Sequence, residues 1–174
     1  EIGEKIEFKK NEILFHDGNH PKGVFKILKG KVKIYACGDD GKEHIIHIAS
    51  KPEIIGFRAI LSGVPYKVSA KTLECCHIQF IKKLDFMEIM NSNTKFRNNI
   101  IIKLSRELGD RALLVTTLSQ KTVKSRLALS LIQLNEIYNG TITLSREDLA
   151  NFIGTATENL IRTLKMFKTE KLIH

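Results

Sequence analysis

The sequence is short of cysteine, of long apolar runs and of the residue clusters that catalysis needs. Three cysteines in 174 residues, two of them adjacent (Cys75, Cys76), do not make a disulfide framework. That points to a reducing, cytoplasmic setting. No apolar stretch approaches the roughly 20 residues that span a bilayer. The opening EIGEKIEFKK has no apolar signal core, so no membrane partner is expected. There is no nucleophile–base pair, no phosphate-cradling glycine loop and no metal signature, which ranks an enzyme last. No cofactor and no metal site are expected. His16 and His20 flank a turn sequence, HDGNH, and Cys75, Cys76 and His77 fall in a strand where neighbours point to opposite faces. Three thiols are too few for an iron–sulfur cluster, which normally takes Cys₄ ligation. Repeats and low-complexity tracts are also missing. The chain starts without Met and stops at KLIH, and reads as trimmed at both ends.

What is present is distributed unevenly. Residues 1–90 carry 15 basic and 12 acidic side chains, net +3; residues 91–174 carry 13 and 7, net +6. A basic C-terminal half favours a polyanion partner, nucleic acid first. Residues 1–92 read as β structure. Short apolar stretches recur between glycines, Val32 and Ile34 alternate, Gly30 breaks a strand and Asp40-Gly41 marks a hairpin. Such spacing predicts a sandwich, roll or barrel.

From 93 to 119 the period changes. Ile101, Leu104, Leu108, Ala112, Val115 and Leu118 recur at helical spacing, which predicts one long helix with an apolar seam. The seam is too long to hide against one small roll, so part of it is expected to meet a twin helix in a homodimer. Thr122 caps a new helix with Leu127, Leu131 and Leu134 on one face, and marks a hinge to the last unit, 120–174.

That unit holds the most specific pattern. Ser145-Arg-Glu-Asp148 and Thr155-Ala-Thr-Glu158 both read as a hydroxyl followed three places on by an acid, the signature of a helix start. Gly154 lies between them, where a first helix must end. Two short helices joined this tightly predict a helix-turn-helix. On the second, Leu160, Leu164 and Phe167 face inward. Thr157, Glu158, Ile161, Arg162 and Lys165 form one outward stripe beside Asn159. Such a stripe fits a major groove: Arg162 suits guanine O6/N7, Glu158 can accept from cytosine N4, and Ile161 can touch a thymine methyl. Arg146, Lys165 and Lys168 suit phosphates, with Ser145 and Thr155 at the helix starts. The bland alternatives are a capping acid at Glu158 and a solvated charged face at Arg162 and Lys165.

LSREDLANFIGTATENLIRTLKMFKTEKLI, following a roll and a long helix, resembles the Crp/Fnr family of bacterial transcription regulators over essentially the whole chain. The resemblance implies an α+β architecture: an N-terminal antiparallel, jelly-roll-like β-roll, a long dimerisation helix and a C-terminal winged helix-turn-helix. Glu158 and Arg162 match the family's E-x-x-x-R pair, which reads a G·C-containing half-site core. Thr157 stands where the cAMP-responsive branch has Arg, implying a half-site nearer the oxygen-sensor type. The family continues past KLI into a β-hairpin wing. The resemblance further implies double-stranded DNA, a twin subunit, an effector and RNA polymerase as partners. For the effector, the cAMP branch supplies Gly-Glu, then Arg-Ser, then paired hydroxyls on the long helix. Here Gly56 is followed by Phe57, no Arg-Ser lies near Val64 and Pro65, and Arg111 and Ala112 take the hydroxyl positions. An effector other than cAMP is therefore expected, with Gly56, Phe57, Arg58, Tyr66, Lys67 and Arg111 as candidate pocket residues. The competing class is a ligand-binding module acting through protein contacts, which would need no groove-reading helix.

Overall fold

The computed structural model describes residues 2–173. Eight strands lead: β1 (Glu4–Phe8), β2 (Ile13–Phe15), β3 (Gly23–Lys29), β4 (Lys31–Cys37), β5 (Glu43–Ser50), β6 (Ile54–Ile55), β7 (Ser69–Thr72) and β8 (Cys76–Lys82). They form two antiparallel four-stranded sheets, ordered β1-β8-β3-β6 and β2-β7-β4-β5. Phe15, Phe25, Ile27, Val32, Ile34 and Ile78 fill the space between them. Gly30 turns the chain from β3 to β4 at φ 91°, and its hydrogen faces Cys76 Sγ and the Cys75 carbonyl so closely that a Cβ would clash. The expected hairpin forms at Asp40-Gly41: Gly41 has φ 76°, and Gly38 N–H donates to the Lys42 carbonyl.

Two helices that strand-like spacing did not predict accompany the strands of the roll. Helix α1 (Phe57–Ser62) and helix α2 (Lys83–Ser92) interrupt the strands. Phe57 and Ile60 of α1, and Phe86 and Met90 of α2, bury in a second cluster with Val24, Ile81 and Ile100. Phe86 and Met90 stand four apart, a helical signal submerged among neighbouring strand-like runs.

Helix α3 spans Thr94–Gln120, capped by Asn93 Oδ1 accepting from Phe96 N–H at 2.9 Å. Helix α4 (Val123–Tyr138) is capped by Thr122 and stops at Asn139 in a left-handed conformation. Helix α5 (Arg146–Ile153) starts at Ser145, whose Oγ accepts from Asp148 N–H at 2.9 Å, and ends at left-handed Gly154. Helix α6 (Thr157–Thr169) follows.

The second capping box does not form as expected. Thr155 N–H donates back to the Ala150 carbonyl, closing α5 in a Schellman-type turn. Thr155 is thereby drawn into the turn and buried, Ala156 becomes the N-cap of α6, and no side chain caps that helix.

Leu160, Leu164 and Phe167 of α6 pack with Leu149, Phe152 and Ile153 of α5 and with Leu127 and Leu134 of α4. The same cluster takes in Tyr35, Ile45 and Ile48 of the roll. Strand β4 is consequently buried on both faces, from Val32 to Tyr35, which erases the alternation expected of a half-exposed strand.

Candidate nucleic-acid interface and effector cavity

Helix α6 presents two chemically distinct sides. Leu160 is fully buried, while Glu158, Arg162 and Lys165 are exposed and Ile161 is 52% exposed between them. Thr157 and Asn159 are half-buried at the edge of this face. Asn159 Oδ1 accepts a hydrogen bond from Arg162 at 2.9 Å, which holds the guanidinium along the helix surface. Because no side chain caps α6, Glu158 is not spent in a reciprocal box. Its charge lies in the first turn, where the helix dipole favours an acid. Arg146 is exposed at the start of α5 and Lys168 near the end of α6. A helix with a packed back, a charged and apolar front and flanking cations is shaped to lie in a duplex groove.

The orientation of this pair of helices depends on a residue that the sequence did not single out. Arg126 of α4 donates to the Ile153 and Gly154 carbonyls at 2.9 Å each, to Lys121 at 3.1 Å and to Leu118 at 3.3 Å. One guanidinium thus ties the end of α3 to the turn between α5 and α6. Only the chain path reveals this, because the four acceptors are backbone carbonyls and leave no mark in sequence. Lys33 of β4 adds a second tie, bonded to Asp148 of α5 at 2.7 Å and to Glu43. Burial works against the Lys33 charge, but its hydrogen bonds and charge attraction to Asp148 and Glu43 outweigh it and hold the ammonium above its usual pKa.

The seam of α3 is divided. Ile101 is 52%, Leu108 73% and Val115 67% exposed, and Ala112 is exposed between them. These four share one face of the helix. Leu104, which the sequence places in the same seam, instead packs on the cluster around Phe86 and Ile100. Leu118 turns toward Gly154. A 3.6-residue helix drifts relative to a seam of mixed spacing, so alternate members fall on its own roll. Ile102 and Leu113, also exposed, lie on the flank of the free face and were not foreseen.

A cavity of about 360 Å³ opens between the roll and α3. All six candidate pocket residues line it: Gly56, Phe57, Arg58, Tyr66, Lys67 and Arg111. Val64 and Pro65 line it as well, in place of an anion-binding Arg-Ser. Arg58 pairs with Glu107 at 3.5 Å, and Arg111 Nη1 donates to the Ile46 carbonyl at 3.0 Å. Burial, then the neighbouring Arg58, pushes the Arg111 pKa down. Burial would raise Glu53, but His47 at 2.9 Å and Lys103 at 2.7 Å hold its carboxyl below the usual range. The Tyr66 hydroxyl is pushed up to about 12 by burial and donates to the Gly23 carbonyl at 3.3 Å. The cavity therefore combines an apolar floor with a surplus of cations. Cys76 is buried while Cys75 and His77 are exposed, on opposite faces as the strand requires. Among the described residues no three His, Cys, Asp or Glu side chains gather to hold a metal ion, and no helix is long and apolar enough to cross a membrane.

Comparison with known proteins agrees with this anatomy. Residues 5–93 match the cyclic nucleotide-binding domain model, and residues 125–174 match the Crp-like helix-turn-helix domain model. The transcriptional activator protein anr of Pseudomonas aeruginosa is 30% identical, over 95% of this chain and 70% of its own length. The regulatory protein HlyX of Actinobacillus pleuropneumoniae is 25% identical, over 99% and 75%. Among solved structures, FixK2 from Bradyrhizobium japonicum superposes with a TM-score of 0.87 at 16% identity, covering 99% of this chain and 88% of that one. With a roll, a long helix and a helix-turn-helix in that order, matched along both halves, the chain belongs to the Crp/Fnr family and is a DNA-binding transcription regulator, not an enzyme.

Proposed function

We propose that this regulator acts as a homodimer that reads a pseudo-palindromic DNA site with α6 and responds to an effector other than cAMP. The observation that carries the reading is the free front of α6, with Glu158, Ile161 and Arg162 side by side over a fully packed back. The working units are the roll (1–92), the dimerisation helix (93–119) and the DNA-binding domain (120–174). Ile101, Leu108, Ala112 and Val115 form the subunit contact. Two such helices about a two-fold axis present two copies of α6 roughly 34 Å apart, one turn of duplex. Arg162 reads guanine, Glu158 accepts from cytosine and Ile161 meets a thymine methyl. Ser145, Arg146, Thr157, Asn159 and Lys165 position the helices on the DNA backbone, whereas Thr155, buried in the α5–α6 turn, is too enclosed for the contact expected of it. Relatives described as transcriptional activators support RNA polymerase as a further partner and the cytoplasm as the place of action.

The test is Glu158→Ala. It relaxes the preference at one base pair per half-site, by about 1–3 kcal/mol of discrimination, while leaving other positions unchanged. A uniform loss across all sequences would show that Glu158 is only a structural acid.

The effector occupies the cavity between α1, the 64–68 segment and α3, held by Arg58, Lys67 and Arg111 over the Phe15, Ile34 and Tyr66 floor. cAMP finds neither a carboxylate at position 57 for its ribose nor a dedicated Arg-Ser for its phosphate. Calorimetric titration with cAMP is expected to show no micromolar binding; binding at that level or tighter overturns this part of the reading.

A further inference from the structure

The joint between the roll and the DNA-binding domain closes over one histidine. His44 on β5 lies beneath the α5–α6 turn: a Cβ at Gly154 would stand 3.6 Å from its Cε1 and 3.8 Å from its Nδ1. The ring is hydrogen bonded to the Asn151 backbone. Its Nε2 is buried and, among the described residues, has no hydrogen-bond partner. Nδ1 is therefore the atom that carries the proton and donates to the Asn151 carbonyl, and Nε2 keeps a bare lone pair.

Every charged group packed around this ring disfavours a second proton. Arg111 faces it from α3 and Arg126 from α4. Helix α5 offers only the Asn151 backbone and the Gly154 turn. Glu43, next to His44 on β5, and Asp148 on α5 are both bound to Lys33. His47 on the same strand is engaged with Glu53. A protonated His44 would bury an N–H without an acceptor and place a third cation between two guanidiniums.

We infer that His44 makes the docking of the helix-turn-helix domain on the roll proton-sensitive, so that the joint is tight with the ring neutral and loosens when it is protonated. Burial first, then Arg111 and Arg126, lowers the folded-state pKa of His44, and the Asn151 carbonyl offsets this only in part. Docking is therefore full above the undocked ring value of roughly 6.5 and is lost progressively as pH falls below it, down to the docked value. The location gives this consequence, because Arg126 ties the same Gly154 turn to the end of α3. A proton thus acts where the roll, the long helix and the groove-reading pair meet.

The experiment is hydrogen exchange of the Arg146–Ile153 amides in the full chain, corrected for intrinsic exchange rates, at about pH 7.5 and about pH 5.5. Wild type is expected to lose protection between the two, by at most about tenfold for an undocked ring value of roughly 6.5. His44→Gln, which cannot take a proton, should keep the high-pH protection and lose the pH effect, while His47→Gln should keep the effect. Equal protection of wild type at both pH values overturns the inference, and so does a wild-type-like fall in His44→Gln. If the glutamine variant does not dock, the ring titration of His44 in wild type decides. A value below roughly 6.5 supports the inference, and one at or above it overturns the inference.

Discussion

Leu108→Lys is expected to abolish dimerisation in the micromolar range and, with it, tight binding to a two-half-site duplex. Leu108 is 73% exposed at the middle of the free face of α3 and gains nothing from its own roll. In a parallel pair of helices it faces its own copy across the two-fold axis. In the proposed dimer the substitution places two ammonium groups together in place of two isobutyl groups, and like charges at a shared site repel. Because the side chain is exposed in the single subunit, the folded stability of each chain should change little, within about 0.5 kcal/mol. Sedimentation separates these outcomes. A stable, monomeric variant that binds a single half-site weakly is the predicted result. A dimer with wild-type DNA affinity would move the subunit contact elsewhere, for example to the Ile102–Leu113 flank.

Arg162→Ala is expected to cost the dimer about 2–6 kcal/mol on its preferred duplex, since each half-site loses one bidentate base contact worth about 1–3 kcal/mol. Its affinity for unrelated duplexes should fall far less. Lys165→Ala is the contrast: a phosphate contact carries no sequence information, so its loss weakens all duplexes alike and lowers the salt slope by about 1 per subunit. Arg162 is already held by Asn159, so part of the ordering cost is met before DNA arrives. Equal losses for Arg162→Ala on preferred and unrelated duplexes would demote it to a backbone contact.

Local signals were legible where they act through neighbouring residues. The Ser145 cap, the Gly154 stop, the long helix and the outward stripe of α6 each follow from spacing, and each is found where spacing puts it. Thr155 was misjudged because its backbone N–H, not its hydroxyl, decides its role, and a Schellman closure looks the same in sequence as a cap. Leu104 shares its period with Leu108 but faces its own roll, a distinction set by helix phase against a surface that is not encoded locally. The two-sided burial of β4, the bonds from Arg126 to the Ile153 and Gly154 carbonyls and the Lys33–Asp148 bond all join segments more than 25 residues apart. The six pocket residues were recoverable only through the family resemblance. The apolar floor of the cavity and its surplus of cations needed the folded chain.

The most direct measurement is selection of bound duplexes from a random DNA pool with the full chain and no added ligand. The expected result is an inverted repeat with half-site centres about one helical turn apart and a G·C pair at the position lost in Arg162→Ala. Recovery of salt-sensitive background alone, both without ligand and with cell extract supplying any effector, would contradict it, because α6 would then carry charge to DNA without reading sequence.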